Sequence, residues 1–321
     1  MKIRLTDRQK NQIASRQSAP DQSLEQATVI THHGTELIIE NAEGKLLRAT
    51  ARRTLGVLTT GDRVGWRTGE DAREIIEFVY PRSNTLIRPD THGKVRLMAA
   101  NIDQVLIILA PTPWMNPNVV ERTLVAALDL PATPIIVLNK VDLLATTQTE
   151  HRKLIEQTLA LWAAQDIDIL RISTKTGEGI DDLRGVLHDK ISMMIGLSGV
   201  GKTSLARSIT SQAAAAAVNE LSSHSQEGQH TTRHSTLFRL DHMQGGLIDA
   251  PGVRDFAVAA QDAQAIDRAF PDILTLAEGC RFYNCTHSQE PSCAVRAAVA
   301  HGQLDSRRFE NYQSLKRECP Q

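Results

Sequence analysis

At 321 residues, with 41% hydrophobic and 23% charged positions, the chain has the size and composition of a folded protein of two or three domains. A formal net charge of −1 gives no compositional sign of a nucleic-acid binder, and no apolar run approaches the roughly 20 residues of a membrane span. Four cysteines in a chain of this length are too few for a disulfide framework and fit a reducing cytoplasm.

Residues 1–27 read as a mobile basic arm. Within its first 16 residues Lys2, Arg4, Arg8, Lys10 and Arg16 stand against Asp7 alone, and the arm has no apolar periodicity and no apolar core of a secretory signal. Such a leader either contacts phosphates or stays solvated. Over residues 28–85 the pattern changes to short β-type runs, ATVITHHG, TELIIENAEG, KLLRATARR, DRVGWRTGED and REIIEFVYP, punctuated by Gly, Asn and Asp. Five such strands predict a small OB-like barrel. Residues 86–266 alternate apolar strands (102–109, 134–138, 167–172, 191–195 and 246–248) with helix-period segments such as VVERTLVAALDL and EHRKLIEQTLALWAAQ. That alternation predicts a mostly parallel sheet with helices on both faces. The run Ala213–Ala217 is given no chemistry. Residues 267–321 form a helical and loop region that carries the cysteines.

The sharpest local signal is Gly196-Leu197-Ser198-Gly199-Val200-Gly201-Lys202-Thr203, set between the strand ISMMI and the helix that opens at Ser204. Its glycines let backbone amides wrap phosphates at a helix N-terminus. Lys202 is expected to reach the β- and γ-phosphates, and the Thr203 hydroxyl to ligate Mg²⁺. Asn139-Lys140-Val141-Asp142 follows the strand PIIVL and selects the base. A carboxylate at Asp142 accepts from guanine N1–H and N2–H, a donor pair adenine lacks. Asn139 would brace the loop, and the Lys140 stem would cover the base plane. Ser173-Thr174-Lys175, at another strand end, resembles a second guanine-contacting loop, and is also a plausible helix cap. Further on, His230-Thr231-Thr232-Arg233 resembles a first switch, with Thr232 the first choice and Thr231 the second for closing the Mg²⁺ shell. Asp249-Ala250-Pro251-Gly252 matches a second switch, Asp249 holding Mg²⁺ and the Gly252 amide sensing the γ-phosphate. The order of these loops is circularly permuted, because conventional GTPases place the phosphate loop first. All five still fall at strand ends, where a parallel sheet binds ligands.

Cys280, Cys285, His287 and Cys293 offer three thiolates and an imidazole within 14 residues. Cys₃His is a closed tetrahedral zinc set with no position left for substrate, so one structural Zn²⁺ is expected there. Cys319 lies outside the cluster and reads as a free thiol.

Permuted GTPase motifs followed by a Cys₃His cluster resemble the small-ribosomal-subunit-dependent GTPase A family. The resemblance rests on NTLIRPD, AANIDQVLIILA, NKVDLL, STKTGEGIDDL, GLSGVGKTSL, GQHTTRHSTL, DAPGVRDF and CRFYNCTHSQEPSCAV, and more weakly on TGDRVGW. It implies three parts: an N-terminal OB-like barrel, a central circularly permuted P-loop GTPase of α/β architecture, and a C-terminal zinc-binding domain. It also implies a cytoplasmic, monomeric enzyme that hydrolyses GTP to GDP with Mg²⁺, binds the small ribosomal subunit and its rRNA late in maturation, and is stimulated by that particle. Val253 follows Gly252, where many GTPases carry a water-orienting Gln, so the resemblance transfers that task to His230; packing or an rRNA contact is the competing reading for His230. Leu197 and Thr203 stand where the family more often has a polar residue and a Ser, and Thr keeps the hydroxyl. Two other readings are open at this level: a GTP-dependent ribosome-binding module whose hydrolysis is incidental, and a permuted GTPase acting on the large subunit.

Overall fold

The architecture is that of a computed structural model, which describes residues 23–33, 36–69, 73–89, 95–113, 116–210, 235–249 and 263–319. The barrel comes first. Strands β1 (Glu25–His33), β2 (Glu36–Asn41), β3 (Leu46–Ala51), β4 (Arg63–Thr68) and β5 (Glu74–Val79) pair in the order β1-β2-β3-β5-β4. Strand β4 returns to β1 and closes the ring; β3 and β5 are parallel and the other pairs antiparallel. Side-chain alternation explains its two-sided burial. Val29, Leu37 and Ile39 face the barrel interior with Val64, Trp66 and Ile76. Ile30 and Ile38 point the other way, into the core of the next domain.

A hairpin of β6 (Thr85–Pro89) and β7 (Val95–Ala100) links the barrel to the central sheet. No sequence pattern announced it: Thr85–Pro89 falls within NTLIRPD, read only as a family motif, and Val95–Ala100 precedes the first central strand read from the pattern, at 102–109. The central elements are β8 (Gln104–Leu109), α1 (Pro117–Asp129), β9 (Thr133–Leu138), α2 (Thr149–Ala163), β10 (Asp168–Arg171), α3 (Ile180–Leu187), β11 (Ile191–Ile195), α4 (Lys202–Ile209), β12 (Thr236–Arg239) and β13 (Gly246–Asp249). Strand order is β10-β9-β8-β11-β13-β12, parallel throughout except for β12. Every residue of β8 is buried because both faces are covered. Val105, Ile107 and Leu109 face α1 and α2 with Leu124, Ile155 and Trp162, whereas Leu106 and Ile108 face α3 and α4 with Leu183 and Leu205.

Strand β12 also pairs with β1, at Thr31↔Thr236, so barrel and central domain share one continuous sheet. The C-terminal part consists of α5 (Ala263–Ala269), α6 (Pro271–Ala277), a turn-rich stretch, α7 (Ala294–Ala300) and α8 (Ser306–Glu318). It docks on α1 through a buried polar knot. Arg308 is 1% exposed, makes a bidentate pair with Asp272 (2.8 and 2.7 Å) and donates to the fully buried Glu121 at 3.0 Å. Asn311 donates to the other Glu121 oxygen at 2.6 Å. Among the described residues no helix is long and apolar enough to cross a membrane. The basic residues of the leader, Ala213–Ala217, His230, Thr231, Thr232, Gly252 and Val253 lie outside the described residues.

Candidate functional site

Three loops leave the carboxyl ends of β9, β10 and β11 and meet. The first carries Asn139, fully buried, whose Nδ2 donates to the carbonyl of Val200 in the third loop at 2.9 Å. Its Oδ1 accepts from the Lys140 amide at 2.8 Å and from the Thr174 amide of the second loop at 3.3 Å. One side chain thus ties all three loops together. Lys140 takes a left-handed backbone (φ 61°), turning the chain sharply before the 3₁₀ turn Val141–Thr146. Its ammonium donates to the carbonyls of Gly199 (2.6 Å) and Thr112 (2.9 Å), so its stem runs from the loop after β9 to the loop after β11.

Asp142 lies half-buried beside the second loop, where the buried Ser173 hydroxyl donates to its Oδ1 at 2.7 Å. Ser173 thereby fixes the carboxylate, and it also accepts from the Thr176 amide at 3.2 Å. Thr174 is half-buried and Lys175 exposed.

The phosphate loop follows β11 and opens α4. Gly196 (φ 156°), Gly199 (φ 86°) and Gly201 (φ 99°) hold conformations that side chains resist. Gly201 has a second reason to be Gly, because a Cβ there would sit 2.3 Å from Asn139 Nδ2. The Lys202 ammonium reaches back to the carbonyls of Gly196 (2.5 Å) and Leu197 (2.7 Å), so it is held over the loop and not in solvent. Val200 turns its side chain into the core, leaving its backbone to the loop, while Ser198, Thr203 and Ser204 are exposed. Helix α4 has no side-chain cap and no acidic residue in its first turn, which fits an incoming anion. Asp249, exposed, ends β13, the neighbour of β11.

At the other end of the chain, the Cys280, Cys285, His287 and Cys293 ligand atoms all lie within 4.8 Å of one another. Cys280 Sγ is 3.9 Å from Cys293 Sγ, and His287 Nδ1 is 3.6 and 3.4 Å from those two sulfurs. Zinc–sulfur bonds of about 2.3 Å in a tetrahedron put sulfurs about 3.8 Å apart, so the residues fit the ion. Burial lowers the His287 pKa and favours the neutral ring a metal needs. Burial pushes the Cys280 thiol up, but hydrogen bonds from the Val295 and Ala294 backbone and from Cys293 and Cys285 outweigh it and leave it lowered. Cys285, with burial dominant, is raised to about 11.

The sequence profile of the RsgA GTPase family matches residues 79–259, more than half of the chain. A relative from Pectobacterium carotovorum, named Small ribosomal subunit biogenesis GTPase RsgA, is 36% identical over 296 residues, covering 91% of this chain and 84% of its own. The chain belongs to the RsgA GTPase family. It is accordingly a P-loop GTP hydrolase. The crystal structure of YjeQ from Thermotoga maritima superposes with a TM-score of 0.68 at 26% identity, covering 91% of this chain and 96% of that one. YloQ, described as a circularly permuted GTPase, gives the same TM-score at 22% identity over 95% and 99% of the two chains, and so shows the fold.

For a member of the RsgA family, sequence reasoning missed two features. The polar seam between barrel and β12 left no signal, because its partners lie about two hundred positions apart. Glu121 did leave one: it falls among Val120, Leu124 and Val125 on the apolar stripe of α1, a charge where a core residue belongs.

Proposed function

We propose that this chain is a cytoplasmic GTPase switch acting late in the maturation of the small ribosomal subunit, binding that particle and its rRNA and hydrolysing GTP on it. What carries the reading is Asn139, whose single buried amide ties together the base-selecting loop, the Ser173 loop and the phosphate loop. In this reading Asp142, steadied by Ser173, receives the guanine N1–H and N2–H, and the Lys140 stem covers the base. Lys202 and the amides of residues 196–204 hold the phosphates. Thr203, Asp249 and Thr232 would hold Mg²⁺, and the ion when bound would supply positive charge against the phosphate oxygens. Gly252 senses the γ-phosphate, and His230 orients the attacking water that Val253 cannot. Zinc at the Cys₃His cluster has a structural role, since all four positions belong to the protein. The name carried by the Pectobacterium relative supports the small subunit as partner.

The deciding experiment is steady-state GTP hydrolysis with and without purified small ribosomal subunits. Low intrinsic turnover should rise many-fold with small subunits. No rise, or an equal rise with large subunits, would overturn the reading.

A further inference from the structure

The carbonyl of Ser235 is one residue before β12, and both of its lone pairs are taken by the barrel. Thr60 donates to it from Oγ1 at 2.7 Å and Thr31 at 3.1 Å. Thr60, Thr31 and Ser235 are 0%, 1% and 2% exposed, so no water competes for these bonds. Thr236 Oγ1 then meets Thr31 Oγ1 at 3.3 Å.

Both donors are themselves fixed. Thr31 follows a β-bulge in the β1–β2 ladder, where the register shifts between Val29 and Thr31; such bulges re-aim side chains. Thr60 sits in a tight turn whose backbone is pinned to the other domain: the Ala100 amide donates to the Thr60 carbonyl at 2.9 Å, and the Asn101 side chain to the Gly61 carbonyl at 2.9 Å. Gly61, at φ 88°, approaches so closely that a Cβ would lie 2.2 Å from the Ala100 carbonyl oxygen.

The pairing register carries this anchorage to the nucleotide site. Thr31 is opposite Thr236, and Thr236 is opposite Asp249. The row Thr31–Thr236–Asp249 therefore spans three strands from the barrel to the residue assigned above to Mg²⁺. At the far end of β12, Arg239 pairs with Glu40 of the barrel, so the strand is held at both ends. By contrast, the bonds of Asn139, Lys140 and Ser173 described above do not involve the barrel.

We propose that Thr31 and Thr60, both in the barrel, are positioning residues for the Mg²⁺ site: by holding the Ser235 carbonyl they set the register of β12 and hence the placement of Asp249. The proposal rests on the reading of Asp249 as the Mg²⁺ residue. It makes the barrel part of the GTPase machinery as well as a separate surface.

The test is Mg²⁺ titration of the full-length protein bound to a fluorescent non-hydrolysable GTP analogue, with fluorescent GDP in the absence of Mg²⁺ as control. Thr60→Val keeps the shape and removes the donor. It should raise the Mg²⁺ concentration at half-saturation roughly fivefold, the value of one buried hydrogen bond, and leave Mg²⁺-free GDP affinity unchanged. Thr60→Ser, which keeps the hydroxyl, should behave as wild type, and Thr31→Val should shift the midpoint the same way; it carries the test alone if Thr60→Val does not fold. An unshifted Mg²⁺ midpoint in folded variants overturns the proposal. So does a parallel fall in Mg²⁺-free GDP affinity, which marks a merely structural role. If the wild-type complex itself shows no Mg²⁺ dependence, the assignment of Asp249 falls and takes this inference with it.

Discussion

Asp142 owes its aim to Ser173. A carboxylate whose Oδ1 is already held at 2.7 Å does not need to be ordered when a base arrives, so less entropy is lost on binding. Asp142→Asn exchanges an acceptor for an amide donor at the position proposed above to meet the donors of guanine. Competition binding should show GTP affinity reduced by at least about tenfold and xanthosine triphosphate favoured instead; GTP affinity at the wild-type level would remove Asp142 from the base site. Gly201 makes a second case at this scale. Alanine there must both hold φ near 99° and displace the buried Asn139 amide, with a conformational cost of about 1–3 kcal/mol before the Val200 bond is lost. Calorimetric titration of Gly201→Ala should show both GDP and GTP bound at least fivefold more weakly. Equal affinity would mean that the loop tolerates rearrangement and that Asn139 is not its brace.

At the level of elements, the readable parts of the chain were those whose chemistry is local. A phosphate loop lies between one strand and one helix, and four zinc ligands fall within 14 residues, so adjacent letters carry both. Barrel strands declared themselves by strand-length runs between Gly, Asn and Asp, but which side chains fill the barrel and which, like Ile30 and Ile38, face the other domain was not marked in the letters. What remained illegible was pairing between distant segments, such as β1 with β12, for which a four-residue strand offers no pattern of its own. Helix α1 shows a middle case. Its Glu121 is out of phase with an apolar stripe, and the reason is visible only once Arg308 and Asn311 arrive from α8. Truncating Glu121 to Ala leaves a buried guanidinium short of a partner, which typically costs 3–5 kcal/mol. Thermal unfolding of that variant should fall by many degrees, and an unchanged midpoint would show Arg308 satisfied by Asp272 alone. Helix α3 offers the opposite sign. Gly185 lies inside it with open space where a Cβ would go, so Gly185→Ala should raise stability by about 0.5–1 kcal/mol in denaturant titration. A loss of stability there would reveal a contact that the geometry does not contain.

Across the whole molecule, one apolar core runs through all three parts. Ile30 and Ile38 of the barrel, Leu124 and Trp162 of the central helices, and Val295, Phe309 and Leu315 of the C-terminal helices belong to the same packed cluster. The zinc ligands lie at its margin, in a stretch from Cys280 to Cys293 built of turns with little regular structure to hold it. On the zinc reading proposed above, metal and core would stabilise different things: the ion would hold the turns, while the packed helices and the Glu121–Arg308–Asp272 knot hold α8 against α1. Removing the metal with a chelator should accordingly have a bounded effect. Hydrogen exchange followed by mass spectrometry should show protection lost across residues 280–293, kept in α8 and in the sheet, and GDP affinity changed by less than about twofold. If protection in α8 collapses together with the turns, the ion and not the buried knot secures the C-terminal region. If GDP affinity falls with it, the zinc region supports the nucleotide loops through α1.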